Sequence, residues 1–374
     1  MAKVLFLTNS SSGFYSFRRE LVQALLQNAH EVVLCMPAAD RTDYFRALGC
    51  HIVDRRFDRH GTNPLRELEL LRFYEGLLRA EKPDIVFTYT IKPNVYGGMA
   101  CQRLGVPYAA NITGLGTAVE NGGLMQKLTL ALYRRGLRGA QKVFFQNTMN
   151  RDFMLSRGIV RDGQYDLLPG SGVNLEQYRP LPYPDGETVD FLFISRVMRE
   201  KGIDQVLEAA ELIRARHPET RFHICGRCEQ DYEQRLRALE ARGVIIYHGE
   251  IDDVSQMHRR CACTVHPSYY PEGMSNVLLE SCACARPIIT TARPGCGEIV
   301  DDSVNGFVVR ERDSADLAEK LERFLSLPWE KRREMGLAGR AKVEKAFDRR
   351  IVVEKYLAEI AAVGAKEAQH AQTV

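Results

Sequence analysis

The amino-acid sequence predicts an α/β protein with two doubly wound, Rossmann-like domains that face each other across a cleft. Three observations support this fold class. The chain of 374 residues is long enough for two hydrophobic cores. Short apolar runs alternate with amphipathic stretches in both halves, which is typical of parallel sheets covered by helices. A proline- and glycine-rich segment at 167–190 interrupts this alternation between the halves.

The first half contains a series of short apolar runs, which predict strands. These runs lie at 3–8, 30–37, 50–57, 84–89, 107–113 and 142–147. The stretches 14–29 and 64–83 repeat apolar residues at spacings of three and four, which predicts helices, and Pro83 marks the end of the second. We therefore expect a first domain over residues 1–170.

A second alternating series follows the interruption. Strands are predicted at 191–196, 221–226, 244–249, 263–268, 287–292 and 306–309, and helices at 203–218, 231–243 and 275–285, with a helical tail from 314 through 365. We expect a linker at 171–189, a second domain at 190–349, and a last helix near 350–368 that packs back on the first domain. Ligands bind outside the carboxyl ends of the strands in such sheets, so both domains are expected to direct loops into the cleft.

The composition is that of a soluble globular protein, with 45% hydrophobic and 26% charged residues. Residues 1–178 carry 22 Lys and Arg against 16 Asp and Glu, whereas the remainder carries 29 against 32. This modestly basic first half indicates an anionic partner or a membrane surface, and we expect no nucleic-acid partner. The first residues fit a strand rather than a secretory signal, and no apolar run is as long as a membrane span. We expect a cytoplasmic protein that associates with the inner face of the plasma membrane.

Ten cysteines leave three interpretations open. Cys225 and Cys228 form a C-x-x-C pair, and C-x-C pairs occur at 261–263 and 282–284. A redox site requires the C-x-x-C at a helix start, and a zinc site requires two suitably spaced pairs. Because the pairs lie within or beside apolar segments, packing by reduced thiols is favoured.

Two loops carry groups that suit phosphate. The loop TNSSSGFYSFRRE (8–20) joins a strand to a helix, whose N–H groups can hold a phosphate while Gly13 allows close approach. A flexible connection explains this loop equally well. In FISRVMREKGID (193–204), Arg196 follows a strand and Lys201 lies at a helix entrance. These two cations suit a diphosphate, although exposed cations are also ordinary surface residues.

The stretch HPSYYPEGMSNVLLESCACARPIIT (266–290) contains two glutamates. Glu272 precedes a predicted helix, where its carboxylate can accept hydrogen bonds from sugar hydroxyls. Glu280 lies about one and a half turns into that helix and can reach a ribose. The alternative for Glu280 is a solvated helix residue, but its apolar neighbours mean that the carboxylate needs a partner.

These residues together resemble a known family. Arg196 with Lys201 and Glu272 with Glu280, followed by RPIITTARPGCGEIVDDSVNGFVV (286–309), are similar to the family 4 retaining glycosyltransferases of the GT-B fold. Residues 295–306 match the family pattern G-x-x-E-x-V-x-(D/N)-(G/S)-x-N-G. The resemblance is specific over about 190–310 and looser over the first domain. There, NITGLGTAVE (111–120) and the loop after the first strand look like bacterial enzymes that extend undecaprenyl-diphosphate-linked saccharides.

The resemblance implies a role for each matching residue. Arg196 and Lys201 would bind the donor diphosphate, and Glu272 would lie beside the donor sugar, which makes these three the implied catalytic residues. Glu280 would bind the ribose, and Gly13 would line the phosphate side of the cleft. The other implied donor-binding residues are Gly273, Met274, Ser275, Asn276 and Val277, with the amides of the first three holding sugar hydroxyls.

The sequence departs from the family in the first domain. Many relatives have a histidine near the end of a strand, close to the C6 hydroxyl of the sugar, where this chain has Asn111 and Thr113. We therefore expect Asn111, Thr113 and the nearby acid Glu120 on the acceptor side. His266 stands where relatives usually have an apolar residue and is interpreted as structural.

The expected chemistry follows from the same features. No Asp-x-Asp occurs in the chain, so we expect catalysis without metal or cofactor, in which cations and helix dipoles stabilise the leaving diphosphate. The resemblance implies retention of configuration by same-face attack, with a double displacement on Glu272 as the alternative. The expected donor is a UDP-linked hexose or N-acetylhexosamine, with GDP as the alternative base. The expected acceptor is a polyprenyl-diphosphate-linked saccharide used in bacterial surface polysaccharide or glycan synthesis.

Two other functions are also compatible with the sequence, and one surface segment has two interpretations. A nucleotide-sugar epimerase shares this scaffold, and a nucleotide-sugar-binding regulator would have a degenerate site, against which the intact charged set argues. The apolar segment 124–143 carries Lys127, Arg134, Arg135, Arg138 and Lys142. Such a basic amphipathic helix can lie on an anionic bilayer, or it can pack in a core with a solvated basic face.

Overall fold

The computed structural model describes residues 1–39, 41–56, 63–115, 119, 122–186, 188–251 and 253–371, with side chains up to residue 365. The chain divides into two compact units. The first comprises Met1–Ser171 and Arg350–Val374, and the second comprises Gly172–Arg349.

The first unit is built on a parallel sheet of seven strands within the described residues. They are β1 (Lys3–Leu7), β2 (Glu31–Met36), β3 (His51–Asp54), β4 (Ile85–Tyr89), β5 (Tyr108–Ile112), β6 (Lys142–Phe145) and β7 (Tyr165–Leu167). Their order is β3-β2-β1-β4-β5-β6-β7. In the interior strand β1, Leu5 lies opposite Val33 of β2 on one side and Val86 of β4 on the other. All three are fully buried, as expected for a sheet covered on both faces.

Helices cover this sheet. They are α1 (Ser11–Gln27), α2 (Thr42–Ala47), α3 (Pro64–Glu81), α4 (Gly98–Leu104), α5 (Gly123–Leu137) and α6 (Thr148–Ser156), and a π-helical turn, Pro93–Gly97, leads into α4. Helix α3 begins where the Asn63 side chain accepts a hydrogen bond from the N–H of Leu65, with Pro64 in the first turn. It ends at Lys82, whose backbone is left-handed.

The second unit has six parallel strands in its described residues. They are β8 (Asp190–Ile194), β9 (Arg221–Cys225), β10 (Ile246–Gly249), β11 (Cys263–His266), β12 (Ile288–Thr291) and β13 (Gly306–Val309), in the order β10-β9-β8-β11-β12-β13. The helices of this unit are α7 (Ile203–Arg216), α8 (Glu233–Ala241), α9 (Ser255–Arg260), α10 (Asn276–Ala283), α11 (Ser314–Leu325) and α12 (Trp329–Ala346). The last helix, α13 (Arg349–Ala371), belongs to the first unit from Arg350 onward and places Val352, Tyr356, Ile360 and Val363 in the core of that unit.

The predicted fold class, α/β with two doubly wound parallel sheets, is confirmed. The ten cysteines are all free thiols; nine are buried, and Cys228 is partly exposed. Burial raises the pKa of Cys225 to about 12, so this thiol stays protonated. Throughout the described part of the chain, no group of three or more His, Cys, Asp or Glu is placed to hold a metal ion. No helix in that part is long and apolar enough to cross a membrane.

Candidate active site

The charged residues of the second unit meet at the carboxyl edge of its sheet. Arg196 lies two residues beyond β8, and Lys201 ends a short 3-10 turn before α7. Glu272 lies between β11 and α10. Because β8 and β11 are neighbouring parallel strands, the loops that follow them converge. The ammonium group of Lys201 donates a hydrogen bond to Glu272, and both side chains are largely buried.

An aromatic ring brings the second cation to the same place. Nζ of Lys201 lies 4.7 Å from the ring centroid of Tyr270, and the guanidinium carbon of Arg196 lies 5.2 Å from it. Arg196 also donates to a carboxylate oxygen of Glu229 at 3.0 Å. One tyrosine therefore holds two cations side by side, in an arrangement that suits the two phosphates of a nucleotide.

Two glycines allow these loops to approach closely. Gly202 has φ +80°, and a Cβ on it would lie 2.3 Å from the carbonyl oxygen of Pro267. Gly295 has φ +86°, and a Cβ there would lie 2.8 Å from the Cβ of Glu272. The N–H of Gly295 donates to the Glu298 side chain at 2.7 Å. The segment 295–298 thus packs closely against the loop that carries Glu272 and supports it.

The loop from Gly273 to Val277 leads into α10. The N–H of Ser275 donates to the carbonyl of Gly295 at 2.7 Å. This amide is engaged inside the unit, and its expected contact with a sugar hydroxyl stays a prediction. Met274 packs in an apolar cluster and Val277 is partly buried, so their backbones are what a ligand could contact. Asn276 has a buried side-chain oxygen with no hydrogen-bond partner among the described residues.

Glu280 is a partly buried residue of α10 with an unusual electrostatic environment. Burial raises the pKa of its carboxyl group to about 7, although Arg349 and the hydroxyl of Tyr178 act in the opposite direction. The side chain therefore changes charge near neutral pH. The carboxylate of Glu280 is therefore less solvated than that of an ordinary surface residue of a helix, and its neighbours balance its charge only in part.

His266, at the end of β11, has no hydrogen-bond partner for either ring nitrogen among the described residues. Burial, together with the charge of Lys201, lowers the pKa of this imidazole to about 3. The ring is therefore neutral at physiological pH and packs against Phe193, with 6.3 Å between ring centroids. This position agrees with the structural interpretation of His266.

The site residues that were predicted in the first unit have different structural roles. Gly13, in the first turn of α1, donates its N–H to the Ser10 side chain at 3.1 Å, which caps the helix. Asn111 is 2% exposed, and its side chain donates to the carbonyl of Thr88 at 3.2 Å and accepts from Tyr356. These contacts give Asn111 an internal role, and its expected place on the acceptor side stays a prediction.

The two remaining acceptor-side candidates are unequal. Thr113 follows β5 directly and is partly exposed, so it keeps its place as a prediction. Glu120 lies outside the described residues. Arg18, from the same predicted phosphate loop as Gly13, points inward: its Nε donates to the hydroxyl of Tyr89 at 3.2 Å, and it is 3% exposed.

Sequence reasoning missed three residues that shape these sites. Tyr270 belongs to the stretch 266–290. An aromatic residue two positions before Glu272 could have indicated that a ring lies beside the predicted sugar site. Glu229 comes from a different loop, and nothing in the spacing connects it to Arg196. Thr90 has φ +68°, which the sequence does not reveal for a threonine.

Comparisons with known proteins identify the families that the two units resemble. The family model described as Glycosyl transferases group 1 matches residues 178–342, and the model described as Glycosyl transferase 4-like matches residues 3–147. Together they span both units, and the first includes the four charged residues of the predicted donor site.

Two curated relatives illustrate the likeness. The N,N'-diacetylbacillosaminyl-diphospho-undecaprenol alpha-1,3-N-acetylgalactosaminyltransferase of Campylobacter jejuni is 25% identical over 374 residues, covering 95% of this chain and 97% of the relative. The capsular polysaccharide biosynthesis glycosyltransferase CapM of Staphylococcus aureus is 25% identical over 166 residues, covering 44% and 43%.

Solved structures share the fold at lower identity. A glycosyltransferase from Rickettsia africae superposes with a TM-score of 0.78 at 16% identity, covering 97% of this chain and 98% of the other. Anabaena Alr3699/HepE in complex with UDP and glucose superposes with a TM-score of 0.75 at 17% identity over 100% of both chains. These superpositions show that the chain has the GT-B fold.

Residues 178–342 match the group 1 glycosyltransferases, and residues 3–147 match the glycosyltransferase 4-like family. The resemblance inferred from the residues is confirmed. The matching family models and the relatives named above are glycosyltransferases, and none of them favours the epimerase alternative.

Proposed function

We propose that the chain is a retaining, metal-independent glycosyltransferase. It transfers a hexose or N-acetylhexosamine from a UDP-sugar to a polyprenyl-diphosphate-linked saccharide during synthesis of a bacterial surface polysaccharide or glycan. The observation that carries this proposal is the contact between Lys201 and Glu272, beside Arg196 on the ring of Tyr270. This contact brings the cations that would bind the leaving diphosphate next to the carboxylate that would bind the sugar, and all of these residues belong to the second unit.

Each residue has a chemical task in this proposal. Arg196 and Lys201 hold the diphosphate and neutralise the negative charge that develops as the glycosidic bond breaks. Glu272 accepts hydrogen bonds from the donor sugar, and Glu280 accepts them from the ribose. The acceptor hydroxyl attacks from the face that the diphosphate leaves, and a phosphate oxygen takes its proton. No step requires a metal, in keeping with a sequence that lacks Asp-x-Asp.

The relatives support the choice of substrates. The Campylobacter relative is named for a diphospho-undecaprenol-linked acceptor, and its alignment covers nearly all of both chains. The Anabaena structure holds UDP and glucose on the same fold. We therefore assign a UDP-sugar as donor and a polyprenyl-diphosphate-linked saccharide as acceptor.

We place the enzyme on the inner face of the plasma membrane through the outer face of α5. Residues 124, 127, 128, 131, 134, 135 and 138 recur at helical spacing and are all exposed. They include Leu124, which is 84% exposed, and Leu128, which is 50% exposed, alongside Lys127, Arg134, Arg135 and Arg138. Apolar side chains next to cations, with no acid on this face, suit an anionic bilayer.

Vesicle flotation tests the membrane assignment. The protein should float with phosphatidylglycerol vesicles and much less with phosphatidylcholine vesicles. Replacing Leu124 and Leu128 by serine should reduce flotation, whereas Leu212→Ser, at an exposed leucine of the second unit, should not. Equal flotation of all three proteins would remove the α5 face from the proposal.

A product assay tests the enzymatic function. UDP-sugars are incubated with a polyprenyl-diphosphate-linked N-acetylhexosamine, and lipid and nucleotide products are separated. Transfer to lipid supports the proposal, whereas conversion of the nucleotide sugar without acceptor indicates an epimerase. Lys201→Ala and Glu272→Ala should each reduce kcat by about 10²-fold or more. Lys331→Ala, at an exposed lysine paired with Glu334, is the matched control. Near-full activity in both site variants would contradict the assignment.

A further inference from the structure

The segment that follows β4 in the first unit is backbone-strained. Thr90, the first residue after the strand, has φ +68°. A left-handed backbone is a genuine outlier for a β-branched residue, since its Cβ substituents crowd the carbonyl. Strained residues of this kind persist where surrounding contacts enforce them, and they are concentrated at functional sites.

The contacts that enforce this conformation can be named. The N–H of Asn94 donates to the carbonyl of Thr90 at 3.0 Å. The fully buried Asn94 side chain accepts from Thr88 at 2.6 Å and donates to the carbonyl of Asn111 at 2.9 Å. The internal role of Asn111 is therefore to help hold this segment in place.

A π-helical turn follows shortly after Thr90, and α5 packs against it. It spans Pro93–Gly97, and such turns are frequent at functional sites. Gly136 of α5 packs directly on it, because a Cβ on Gly136 would lie 2.6 Å from the Cα of Val95. The segment from Thr90 to Gly97 is thus fixed by β4, β5 and α5 together.

Polar groups of this segment lie at the carboxyl edge of the sheet. Nζ of Lys92 donates to Glu67 of α3 at 2.6 Å, and the two side chains are 13% and 12% exposed. The Thr90 hydroxyl oxygen is buried and has no hydrogen-bond partner among the described residues. An open parallel sheet binds its ligands at this edge. The donor-site residues proposed above do not include any of these three.

We propose that Thr90 and the Lys92–Glu67 pair form a subsite for the sugar of the acceptor. The inference rests on the proposed transfer to a lipid-linked saccharide. A sugar hydroxyl both donates and accepts, and an ammonium next to a carboxylate offers it one partner of each kind. The Thr90 side chain is partly exposed, and its hydroxyl, which lacks a partner among the described residues, provides a third polar contact when it turns toward the sugar. The enforced backbone holds that hydroxyl at the edge of the sheet before the acceptor binds, which lowers the cost of ordering the site.

The test separates acceptor binding from donor binding. The substrates are a UDP-N-acetylhexosamine and a polyprenyl-diphosphate-linked N-acetylhexosamine, each varied at saturation of the other. Thr90→Val keeps the branched shape but removes the hydroxyl, and it should raise the acceptor KM about three- to tenfold. Lys92→Gln removes a charged donor, and it should raise that KM by about tenfold or more. The donor KM and the slow hydrolysis of donor without acceptor should stay within about twofold.

A third variant distinguishes binding from a merely structural role. Thr90→Gly relieves the left-handed strain, so its thermal unfolding midpoint should rise, while its acceptor KM also rises because the hydroxyl is lost. The control is Lys82→Gln, which removes the same charge from a lysine of φ +48° at the opposite edge of the sheet. It should leave both KM values unchanged.

The outcomes are distinguishable. An unchanged acceptor KM in the Thr90 and Lys92 variants, or a parallel rise of the donor KM, overturns the subsite and leaves the proposed function intact. Failure of the unmodified protein to transfer to any polyprenyl-diphosphate-linked saccharide overturns the proposed function, and the subsite with it.

Discussion

The substitution Gly295→Ala tests whether the support of the Glu272 loop decides both stability and activity. The backbone at Gly295 has φ +86°, so any Cβ costs about 1–2 kcal/mol from the left-handed conformation. The new Cβ would also lie 2.8 Å from the Cβ of Glu272 and 2.9 Å from the carbonyl oxygen of Gly273. Such overpacking costs about 1–3 kcal/mol when the backbone has to move. The free energy of unfolding should therefore fall by roughly 2–5 kcal/mol.

The loss of activity should exceed the loss of folded protein. If the carboxylate of Glu272 moves by about 1 Å, kcat/KM should fall about 10²-fold. Urea unfolding followed by the fluorescence of Trp329, the only tryptophan of the chain, reports the second unit. Activity is measured without urea, where the variant remains folded, with a UDP-sugar and the lipid-linked acceptor.

A matched glycine isolates the contact from the backbone strain. Gly243 in the same unit has φ +69°, and a Cβ there meets no heavy atom within 4 Å. Gly243→Ala should therefore show only the backbone cost of about 1–2 kcal/mol and nearly full activity. Equal losses of stability in the two variants, together with full activity of Gly295→Ala, would show that the close contact at Gly295 does not position Glu272.

Three further substitutions address charges in the second unit. Because burial raises the pKa of Glu280 to about 7, its ionisation opposes folding as pH rises from about 4.5 to 7. The unfolding free energy of the unmodified protein should drop relative to Glu280→Gln by about 1.4 kcal/mol per pH unit in that window, and a flat difference would contradict this. Glu229→Gln removes an exposed partner of Arg196 and should lower the KM for the UDP-sugar by about two- to fivefold, with Glu219→Gln as control; a higher KM would mean that Glu229 positions the arginine. Arg286→Met removes a guanidinium that donates to the carbonyls of His258 and Pro182 at 2.6 and 2.7 Å, so urea unfolding should show a loss of roughly 3 kcal/mol or more. A loss below 1 kcal/mol would show that those carbonyls find other donors.

The sequence was sufficient for the fold class because the signal is repeated along the chain. Each buried strand of a parallel sheet is a short apolar run, and each crossover helix adds its own periodicity, so an error in one element does not change the class. The weak elements were the ones missed. Strand β7, Tyr165–Leu167, has only three residues and is half-buried, which leaves no apolar run to detect. The turn Pro93–Gly97 begins with Pro-Asn, which indicates a loop rather than helix.

The site was less accessible to sequence reasoning because residue type does not determine contacts. Arg18 and Arg196 are arginines of the two segments, 8–20 and 193–204, that the sequence connects with phosphate binding. In the structure, Arg18 turns inward to the hydroxyl of Tyr89, whereas Arg196 stays at the edge with Glu229. The direction that each arginine takes depends on the residues that pack against it. For Arg18 these are two tyrosines distant in sequence, Tyr89 and Tyr356.

The same limitation applies to charge balance in the site. As isolated cations, Arg196 and Lys201 would gain the full attraction of a diphosphate. In the structure each already has a carboxylate partner, Glu229 for the arginine and Glu272 for the lysine. In the proposed function, a donor would exchange one anion for another, and its affinity would reflect the difference between two interactions rather than the strength of one. That exchange would also release Glu272 from the lysine, so that its oxygens could accept hydrogen bonds from the sugar. Under this proposal, diphosphate binding and sugar binding are coupled through a single ion pair.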